Sequence, residues 1–564
     1  MSDKQKKRRE SGKSSTQLWV RIICCFLGLL MVLGIILMIF ETAYSFAVTS
    51  DDVAVDKKIN TGKRDISVGL YYGDTAVQSF TLASATGFEV VSRSQNKLFA
   101  FPSVTAISVC VDGRMSFVGD KLIDSDNGVR VAADYHIQIS EYAYKSDIKD
   151  DGDNPAPINP NPGQSVVLHS GFNQSNVSSY VDDLNNSGVF DNTDMRAYPA
   201  ISNNKYYIRF GQFDTEDEAE NALTAMREFL LINDAKVVSV SDGAFSLIDA
   251  LTYRTVCEIS TGDYMIDIKS IEGYVSSPES GNYNGYFTFA SESKAQRTMK
   301  VINRFSLEDY VSSIISYEID EDFPLEAAKA VAVVLRTNSY RMLDRHKTDG
   351  FDFCTENHCH VFGGEVNTDN KLSEAVRATD GEIILYKNNV INAVYSVSCG
   401  NTTVSAENMS EKEKYPYLSS VETPWDQSFT WTRMFSPTEL FNLVSLAGFD
   451  EIKAPIAAVS TEKYDDGSAY VSAITLTDVL GNMLVVEGTE KVHDIFSPYF
   501  PSANFSVRVS DGSDGNVFGN FIFEGSGDGC GIGFSLLGAK ALANENVGYI
   551  AIIKAYYKDV DVAY

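Results

Sequence analysis

The chain has few cysteines and few positive charges for its length. Its 564 residues include 8 cysteines, two of which, Cys24 and Cys25, lie inside one apolar run. The others are too few and too scattered for a disulfide framework. Lysines and arginines number 47 against 76 aspartates and glutamates, so the formal net charge is −29. This charge argues against binding of nucleic acids or anionic membrane surfaces by the chain beyond the apolar run.

The apolar run lies near the amino terminus. Residues 22–40 (IICCFLGLLMVLGIILMIF) are uncharged and numerous enough to cross the hydrocarbon core of a bilayer. Basic residues precede the run and acidic residues follow it, which predicts a cytoplasmic tail at 1–17 and a transmembrane helix at 18–41. A cleaved signal peptide is the alternative, although its apolar segment is usually shorter. We therefore expect a single-pass cell-membrane protein with a large extracytoplasmic part.

Pattern and composition divide the rest of the chain into segments. Residues 65–146 alternate apolar and polar side chains in short runs, which predicts a small β-rich module. Residues 147–165 combine acidic residues with proline and glycine, a composition typical of a linker. Within 166–250, the pattern predicts a strand, a helix beginning at Asp214 and Thr215, and two further strands.

One isolated carboxylate lies between two helical patterns. In the first pattern, apolar residues at helical spacing lead to Glu318 at the end of the helix. The second predicts a helix from about Leu325 to Met342, in which Lys329 and Arg336 are seven residues apart and share a face. A carboxylate with two nearby cations suits acid–base chemistry on a charged or sugar-like substrate. The alternative is that Glu318 caps the helix and the cations are solvated.

A cluster of cysteines and histidines follows the second helix. Thiolate and imidazole groups are suitable ligands for tetrahedral zinc. The predicted ligands are Cys354, His358 and Cys359, with His346 as the fourth. The alternative is a disulfide between the two cysteines, or two free thiols. We expect a metal here to hold the loop against the neighbouring helices rather than to act on a substrate.

Several motifs occur in a recognisable order. They are LEDYV at 307–311, SYE at 316–318, KAVAVVLRT at 329–337, CTENHCHVF at 354–362, AVYSVSCG at 393–400, PYLSSVETPWD at 416–426 and GSGDGCGIGFSLLGAKALA at 525–543. Together they resemble the stage II sporulation protein D family, also called the SpoIID/LytB or amidase-enhancer domain. The resemblance covers residues 306–554, within a predicted domain at 251–564 that mixes helices with antiparallel sheet.

The resemblance implies a lytic transglycosylase that cleaves peptidoglycan between N-acetylmuramic acid (MurNAc) and N-acetylglucosamine (GlcNAc). Glu318 matches the family's catalytic acid. Protonated, it would donate to the glycosidic oxygen; ionised, it would accept the proton of the C6 hydroxyl and give a 1,6-anhydro product. Some family members bind zinc at the Cys/His cluster, which implies zinc as a structural cofactor here.

Further residues are predicted to bind the glycan. Aromatic faces pack on sugar rings, hydroxyl groups pair with sugar hydroxyls, and glycines let the backbone approach the ligand. The predicted substrate-binding residues are Lys329, Arg336, Tyr317, Tyr395, Ser396, Ser398, Gly529, Gly531 and Ser535.

Two residues depart from the family pattern. Cys530 stands where the family usually has histidine, and Leu536 where it has glutamine. The alternative function is therefore a non-catalytic glycan-binding scaffold that recruits or stimulates a peptidoglycan amidase.

A second resemblance lies upstream. Tyr206 to Phe213 reads Tyr-x-x-x-x-Gly-x-Phe and precedes a helix rich in glutamate and alanine. This pattern resembles a sporulation-related repeat (SPOR) domain, a small βαβ module that binds glycan strands stripped of stem peptides; the alternative is a generic α+β module. The expected fold is α+β throughout, and the expected partners are peptide-stripped glycan strands, a cell-wall amidase and the cytoplasmic membrane, without nucleic acid.

Overall fold

The computed structural model describes most residues from 65 to 563. The residues outside the description are 1–64, 93–95, 112–114, 119–120, 124–128, 133–134, 147–164, 192, 194, 228–229, 233, 240–243, 262–264, 279–280, 294–295, 357, 365–369, 409–414, 428, 498, 511–518 and 564. The predicted tail and transmembrane helix (1–41), and the predicted linker up to residue 164, lie outside the described residues. Among the described residues, no helix is both long enough and apolar enough to cross a bilayer.

Helices and strands are mixed along the described chain, which confirms the predicted α+β class. The helices are α1 Val177–Asn186, α2 Glu216–Met226, α3 Leu307–Glu318, α4 Leu325–Arg341, α5 Lys371–Ala378, α6 Pro437–Leu446, α7 Thr489–Phe496, α8 Leu536–Asn544 and α9 Tyr549–Tyr556. The strands are β1 Asp65–Tyr71, β2 Ser79–Ala83, β3 Phe88–Val91, β4 Lys97–Phe101, β5 Ala106–Val111, β6 Met115–Val118, β7 Lys121–Ile123, β8 Val129–Ala132, β9 Tyr135–Ile139, β10 Glu141–Ser146, β11 Ser165–Ser170, β12 Ala197–Ser202, β13 Lys205–Phe213, β14 Leu230–Leu231, β15 Lys236–Ser239, β16 Phe245–Asp249, β17 Thr255–Ser260, β18 Met265–Ser270, β19 Val275–Ser277, β20 Gly281–Tyr283, β21 Tyr286–Ser293, β22 Thr298–Ser306, β23 Phe353–Cys354, β24 Ile383–Tyr386, β25 Asn389–Val390, β26 Tyr395–Ser396, β27 Thr430–Phe435, β28 Ile456–Lys463, β29 Val471–Asp478, β30 Met483–Glu487, β31 Phe505–Val509, β32 Phe521–Ser526, β33 Phe534–Ser535 and β34 Asp561–Ala563.

Two large sheets carry the first half of the described chain. One has seven strands in the order β23-β1-β22-β21-β18-β3-β4, and the other has ten in the order β15-β9-β13-β12-β17-β16-β5-β2-β19-β20. They share one apolar core, in which the rings of Phe80 and Phe287 lie 5.7 Å apart. Alternation of buried and more exposed residues along strands such as β2 places one strand face in this core.

The sheets cross the predicted module boundaries. β1, from the predicted β-rich module, pairs antiparallel with β22, from the predicted domain at 251–564, over Asp65↔Ser306 to Tyr71↔Val301. The predicted boundary at residue 251 therefore does not separate two sheets. An alternating pattern identifies a strand but not its partner, so the sequence could not reveal this long-range pairing.

A split βαβ arrangement lies at one end of the ten-stranded sheet. In chain order β9, α1, β12, β13, α2 and β15 contribute four antiparallel strands in the sheet order β15-β9-β13-β12. Its first strand, Tyr135–Ile139, precedes the predicted SPOR-like segment at 166–250. The helix predicted after Thr215 is α2, whose first turn is closed by a capping box between Thr215 and Glu218.

Helices α3 and α4 form the centre of the second half. α3 begins after β22 because the Ser306 hydroxyl accepts a hydrogen bond from the backbone N–H of Asp309. α4 follows Pro324, is rich in alanine and valine, and packs against α3, α5, α8 and α9. α4 is therefore enclosed along most of its length, and α3 lies beside it with its carboxyl end at the surface.

Candidate active site

Glu318 is the last residue of α3. The helix ends there because Ile319 adopts an extended conformation. Glu318 is half-buried, and its neighbours Ile315 and Ile319 are buried. Burial raises the pKa of Glu318, although a hydrogen bond from Tyr395 acts in the opposite direction. The site thus favours the protonated acid more than water does.

Tyr395 is the direct partner of Glu318. Its hydroxyl donates a hydrogen bond of 2.8 Å to Oε1 of Glu318. Burial, followed by the nearby Glu318 charge, holds the pKa of Tyr395 well above its usual range, so the phenol keeps its proton. The structure therefore brings together two predicted site residues that are far apart in the sequence.

The glycine-rich segment joins the site through Tyr395's own strand. β26 pairs in parallel with β33, and the Ser396 hydroxyl accepts a hydrogen bond of 3.0 Å from the backbone N–H of Gly531. Gly529 and Gly531 have positive φ angles of 111° and 77°, and a Cβ atom at Gly529 would lie 2.8 Å from that of Ser396. Ser396 is buried, so it holds the loop. The thiol of Cys530 is exposed beside it, with Sγ 3.5 Å from Ser396 Oγ.

Tyr317 is the exposed aromatic residue of the site. The Tyr317 side chain is 51% exposed. A Cβ atom at residue 363 would lie 1.8 Å from the Tyr317 hydroxyl oxygen, so only glycine at this position leaves space for the tyrosine. An exposed ring next to Glu318 is suited to contact a sugar ring.

Ser398 and Ser535 do not face a groove. Both side chains are fully buried, and their hydroxyls donate hydrogen bonds of 2.8 and 2.6 Å to the carboxylate of Asp426. The backbone N–H of Cys399 donates to the same carboxylate at 2.8 Å. The predicted glycan-binding roles of both serines therefore do not fit the structure, since Asp426 uses their hydroxyls.

Asp426 is a structural residue whose role its motif does not reveal. Asp426 is completely buried, and burial raises the pKa of its carboxyl group. The hydrogen bonds that it accepts lower this pKa but do not cancel the effect of burial. Asp426 links the segments at 398–399 and 535 and thereby supports the strand that carries Tyr395. The available signal was its position at the end of the motif PYLSSVETPWD, but a buried role could not be read from that.

Arg336 and Lys329 also differ from their predicted roles. Arg336 is fully buried, and its Nε and Nη2 atoms donate hydrogen bonds of 2.7 and 2.6 Å to the carboxylate of Glu308. Lys329 is half-buried, and its Nζ lies 2.7 Å from Glu326 Oε1. The shared helix face was predicted correctly, but α4 is enclosed, so that face meets protein rather than substrate.

The four predicted metal ligands meet in one cluster. The ligand atoms of His346, Cys354, His358 and Cys359 all lie within 4.8 Å of one another. The Nε2 atoms of the two histidines are 3.0 Å apart, and Cys354 Sγ is 3.3 Å from His358 Nε2. Two thiols and two imidazoles at this spacing fit tetrahedral zinc.

The contacts around the four side chains are also compatible with a zinc site. Nδ1 of His346 lies 3.0 Å from Asp349 Oδ2, the outer carboxylate contact that metal-binding histidines commonly have. Neither cysteine is in a disulfide, and their mutual hydrogen bond lowers the pKa of Cys354. The adjacent His360 lies outside the cluster: it is buried, with Nδ1 3.1 Å from the Tyr310 hydroxyl.

Comparison with known proteins identifies the family. The family model described as Stage II sporulation protein matches residues 295–386, which include α3, α4 and the metal-ligand cluster. An uncharacterised protein of Brachyspira hyodysenteriae is 31% identical over 269 residues, 47% of this chain and 68% of the relative. Stage II sporulation protein D of Bacillus amyloliquefaciens is 26% identical over 282 residues, 46% of this chain and 75% of the relative.

The chain belongs to the stage II sporulation protein D family. The resemblance carried by the ordered motifs is thus confirmed. The amidase enhancer of Bacillus subtilis is also similar, with 24% identity over 298 residues, 44% of this chain and 39% of the relative. Glu318 and the metal-ligand cluster both lie within the segment that the family model matches.

Proposed function

We propose that this protein is a membrane-anchored lytic transglycosylase that cleaves MurNAc–GlcNAc strands in cell-wall remodelling during sporulation. Family membership supports a role at the cell wall. The observation that carries the proposed activity is the half-buried Glu318, whose raised pKa and hydrogen bond from Tyr395 suit a general acid. The apolar run at residues 22–40 supports the anchor and the extracytoplasmic location.

In the first step, Glu318 acts as the acid. Its proton moves to the oxygen that joins C1 of MurNAc to C4 of GlcNAc, the C1–O bond breaks, and GlcNAc leaves as an alcohol. In the second step the carboxylate accepts the proton of the MurNAc C6 hydroxyl while that oxygen bonds to C1. One carboxylate performs both transfers, unlike the pair of carboxylates used by most glycoside hydrolases.

Tyr395 orients the carboxylate throughout. Because its phenol remains protonated, it can donate to Oε1 and leave Oε2 for the substrate. The exposed ring of Tyr317 and the backbone near Gly529 and Gly531 are the proposed contacts for the glycan.

Zinc is the proposed structural cofactor. His346, Cys354, His358 and Cys359 would hold it, and it would supply a cross-link within the loop after α4. The proton transfers by Glu318 do not involve it.

The split βαβ unit is the proposed second glycan contact. A cavity of about 520 Å³ lies over β9, β12, β13 and β15, and its lining includes Tyr135, Tyr207 and Lys236. Aromatic rings beside a lysine suit a sugar strand whose lactyl carboxylates have lost their peptides. This supports the SPOR-like prediction and peptide-stripped glycan as the ligand.

The test is mass spectrometry of amidase-treated glycan strands incubated with the full-length chain. Wild type should release 1,6-anhydro-MurNAc products, and Glu318→Gln should lower their rate by at least about 100-fold. Asp320→Asn, at an exposed position two residues away, is the matched control and should keep the wild-type rate. Equal rates for wild type and Glu318→Gln would refute the mechanism.

The second candidate is a non-catalytic scaffold that binds glycan and stimulates an amidase. Cys530 and Leu536, which replace the family's usual histidine and glutamine, favour it, and the amidase enhancer of Bacillus subtilis is a relative. A folded, zinc-loaded wild type that releases no anhydro products but accelerates a peptidoglycan amidase would support this candidate.

A further inference from the structure

The loop that carries the metal ligands is bound to strand β1, far upstream in the chain. The carboxylate of Asp352 accepts hydrogen bonds from the backbone N–H and the hydroxyl of Ser67, at 2.8 and 2.7 Å, across 285 residues of sequence. β23 pairs in parallel with β1, and Gly69 lies opposite Cys354. The predicted metal ligand Cys354 therefore lies on a strand that pairs directly with β1.

The side chains of this contact fit closely. A Cβ atom at residue 69 would lie 2.4 Å from the ring of Phe351, so only glycine leaves space for that ring. Phe351 in turn stacks on the imidazole of His346, with ring centres 5.2 Å apart. A second ligand is thus positioned through β1 as well.

Tyr72 follows β1 directly and packs on one of the ligands. Its ring lies edge-on to the imidazole of His346 at 5.9 Å and to the ring of Phe351 at 4.8 Å. A short turn fixes its backbone: the N–H of Tyr72 donates to Thr75 Oγ1 at 3.1 Å, and the Thr75 hydroxyl donates to the Tyr72 carbonyl at 2.9 Å.

We propose that Tyr72 is an outer residue of the metal centre, and that the bound metal locks strand β1 to the loop after α4. This inference rests on the zinc site of the proposed function. A ring that packs on a metal-binding imidazole holds that ligand in its orientation, and such outer contacts tune metal affinity. The family model begins at residue 295, so Tyr72 lies outside the segment it matches.

In the chain, β1 lies between the apolar run at 22–40 and helix α3, which ends at Glu318. β1 is already paired with β22, which leads into α3. Metal binding would add a second attachment, from β1 to the loop after α4, without any contact to substrate.

The first test measures the zinc affinity of the full-length chain by competition with a chromogenic chelator. Wild type should bind one Zn²⁺, and Tyr72→Ala, which removes the ring, should bind it about 10- to 100-fold more weakly. Tyr274→Ala removes the ring of an exposed tyrosine and should leave the affinity unchanged. Equal affinity for wild type and Tyr72→Ala would overturn the inference.

The second test measures hydrogen exchange with and without Zn²⁺. Zinc should slow exchange of the backbone amides at 65–72 in wild type and not in Cys354→Ser. Zinc binding that leaves exchange at 65–72 unchanged would contradict the lock, and a wild type that binds no zinc would overturn the inference altogether. Neither result bears on cleavage by Glu318, and Glu318→Gln should behave as wild type in both tests.

Discussion

At the scale of single residues, Glu318 is expected to cost stability in exchange for its chemistry. Burial raises its pKa, so the unfolded chain releases this proton at lower pH than the folded chain does. Stability is therefore lost as pH rises from the unfolded to the folded pKa. Glu318→Gln, which cannot ionise, should unfold at a higher temperature than wild type at neutral pH, while its cleavage rate falls.

Thermal unfolding at two pH values checks this prediction. The difference between Glu318→Gln and wild type should vanish in acid, below the unfolded pKa, where the carboxyl is protonated in both states. The exposed substitution Asp320→Asn should show no such difference. A Glu318→Gln protein that is less stable than wild type at neutral pH would contradict the assigned environment.

Tyr395 gives a second prediction at this scale. Its hydrogen bond lowers the pKa of Glu318, so Tyr395→Phe should raise that pKa further. The loss of activity on the alkaline side of the pH–rate profile, where the acid ionises, should then move to higher pH, with a lower maximum because the carboxylate is less well oriented. The profile of kcat/KM for anhydro-product release measures both effects. An alkaline limb that stays in place would rule out Tyr395 as the partner that tunes Glu318.

Arg336 and Lys329 differ in burial, so their removal should differ in cost. Arg336→Ala leaves Glu308 without its bidentate partner in a buried setting and should lower the free energy of unfolding by about 3–5 kcal/mol. Lys329→Ala removes a half-exposed pair with Glu326 and should cost less than about 1 kcal/mol. Urea denaturation measures both. Similar costs for the two variants would show that α4 is less enclosed than the structure indicates.

At the scale of elements, the sequence predicted where a helix begins and ends better than it predicted which elements pack around that helix. The helix predicted from about Leu325 to Met342 is α4, Leu325–Arg341, because capping and periodicity are local properties. The metal-ligand cluster was also predictable, since His346 and Cys359 are close in sequence and have distinctive chemistry. Burial is not a local property. Periodicity predicts that Lys329 and Arg336 share a face of α4, but it does not predict which helices cover that face.

Burial also explains why Ser398 and Ser535 do not have the glycan-binding roles predicted for them. Ser398 and Ser535 lie in motifs that meet near the site, but the residue that holds them together, Asp426, comes from a third motif. Asp426→Ala should leave three buried donors unpaired, those of Ser398, Cys399 and Ser535. At about 1–3 kcal/mol for each lost contact, it should lower the free energy of unfolding by at least about 3 kcal/mol. Ser398→Ala removes one donor and should cost less. Urea denaturation decides, and an equal or larger cost for Ser398→Ala would argue against Asp426 as the organising residue.

At the scale of the whole molecule, the proposed second glycan site should matter only for long substrates. A strand bound over the split βαβ unit and cut at Glu318 is held at a high effective concentration, whereas an oligosaccharide that occupies the active site alone gains nothing from the second site. Lys236→Glu places a negative charge in the cavity over β15 and should lower cleavage of long, peptide-stripped strands by up to about 100-fold. Cleavage of short oligosaccharides should be unchanged.

Lys463→Glu is the matched control, because Lys463 is an exposed lysine on β28, which belongs to a different sheet from the strands that line the cavity. It makes the same change in net charge and should leave both substrates unaffected. If both variants slowed the long strands equally, the effect would come from the net charge of −29 becoming more negative and repelling the polymer, not from a built site. If neither variant slowed them, the split βαβ unit would have no part in holding the strand, and Glu318 would act on glycan bound by the active-site domain alone.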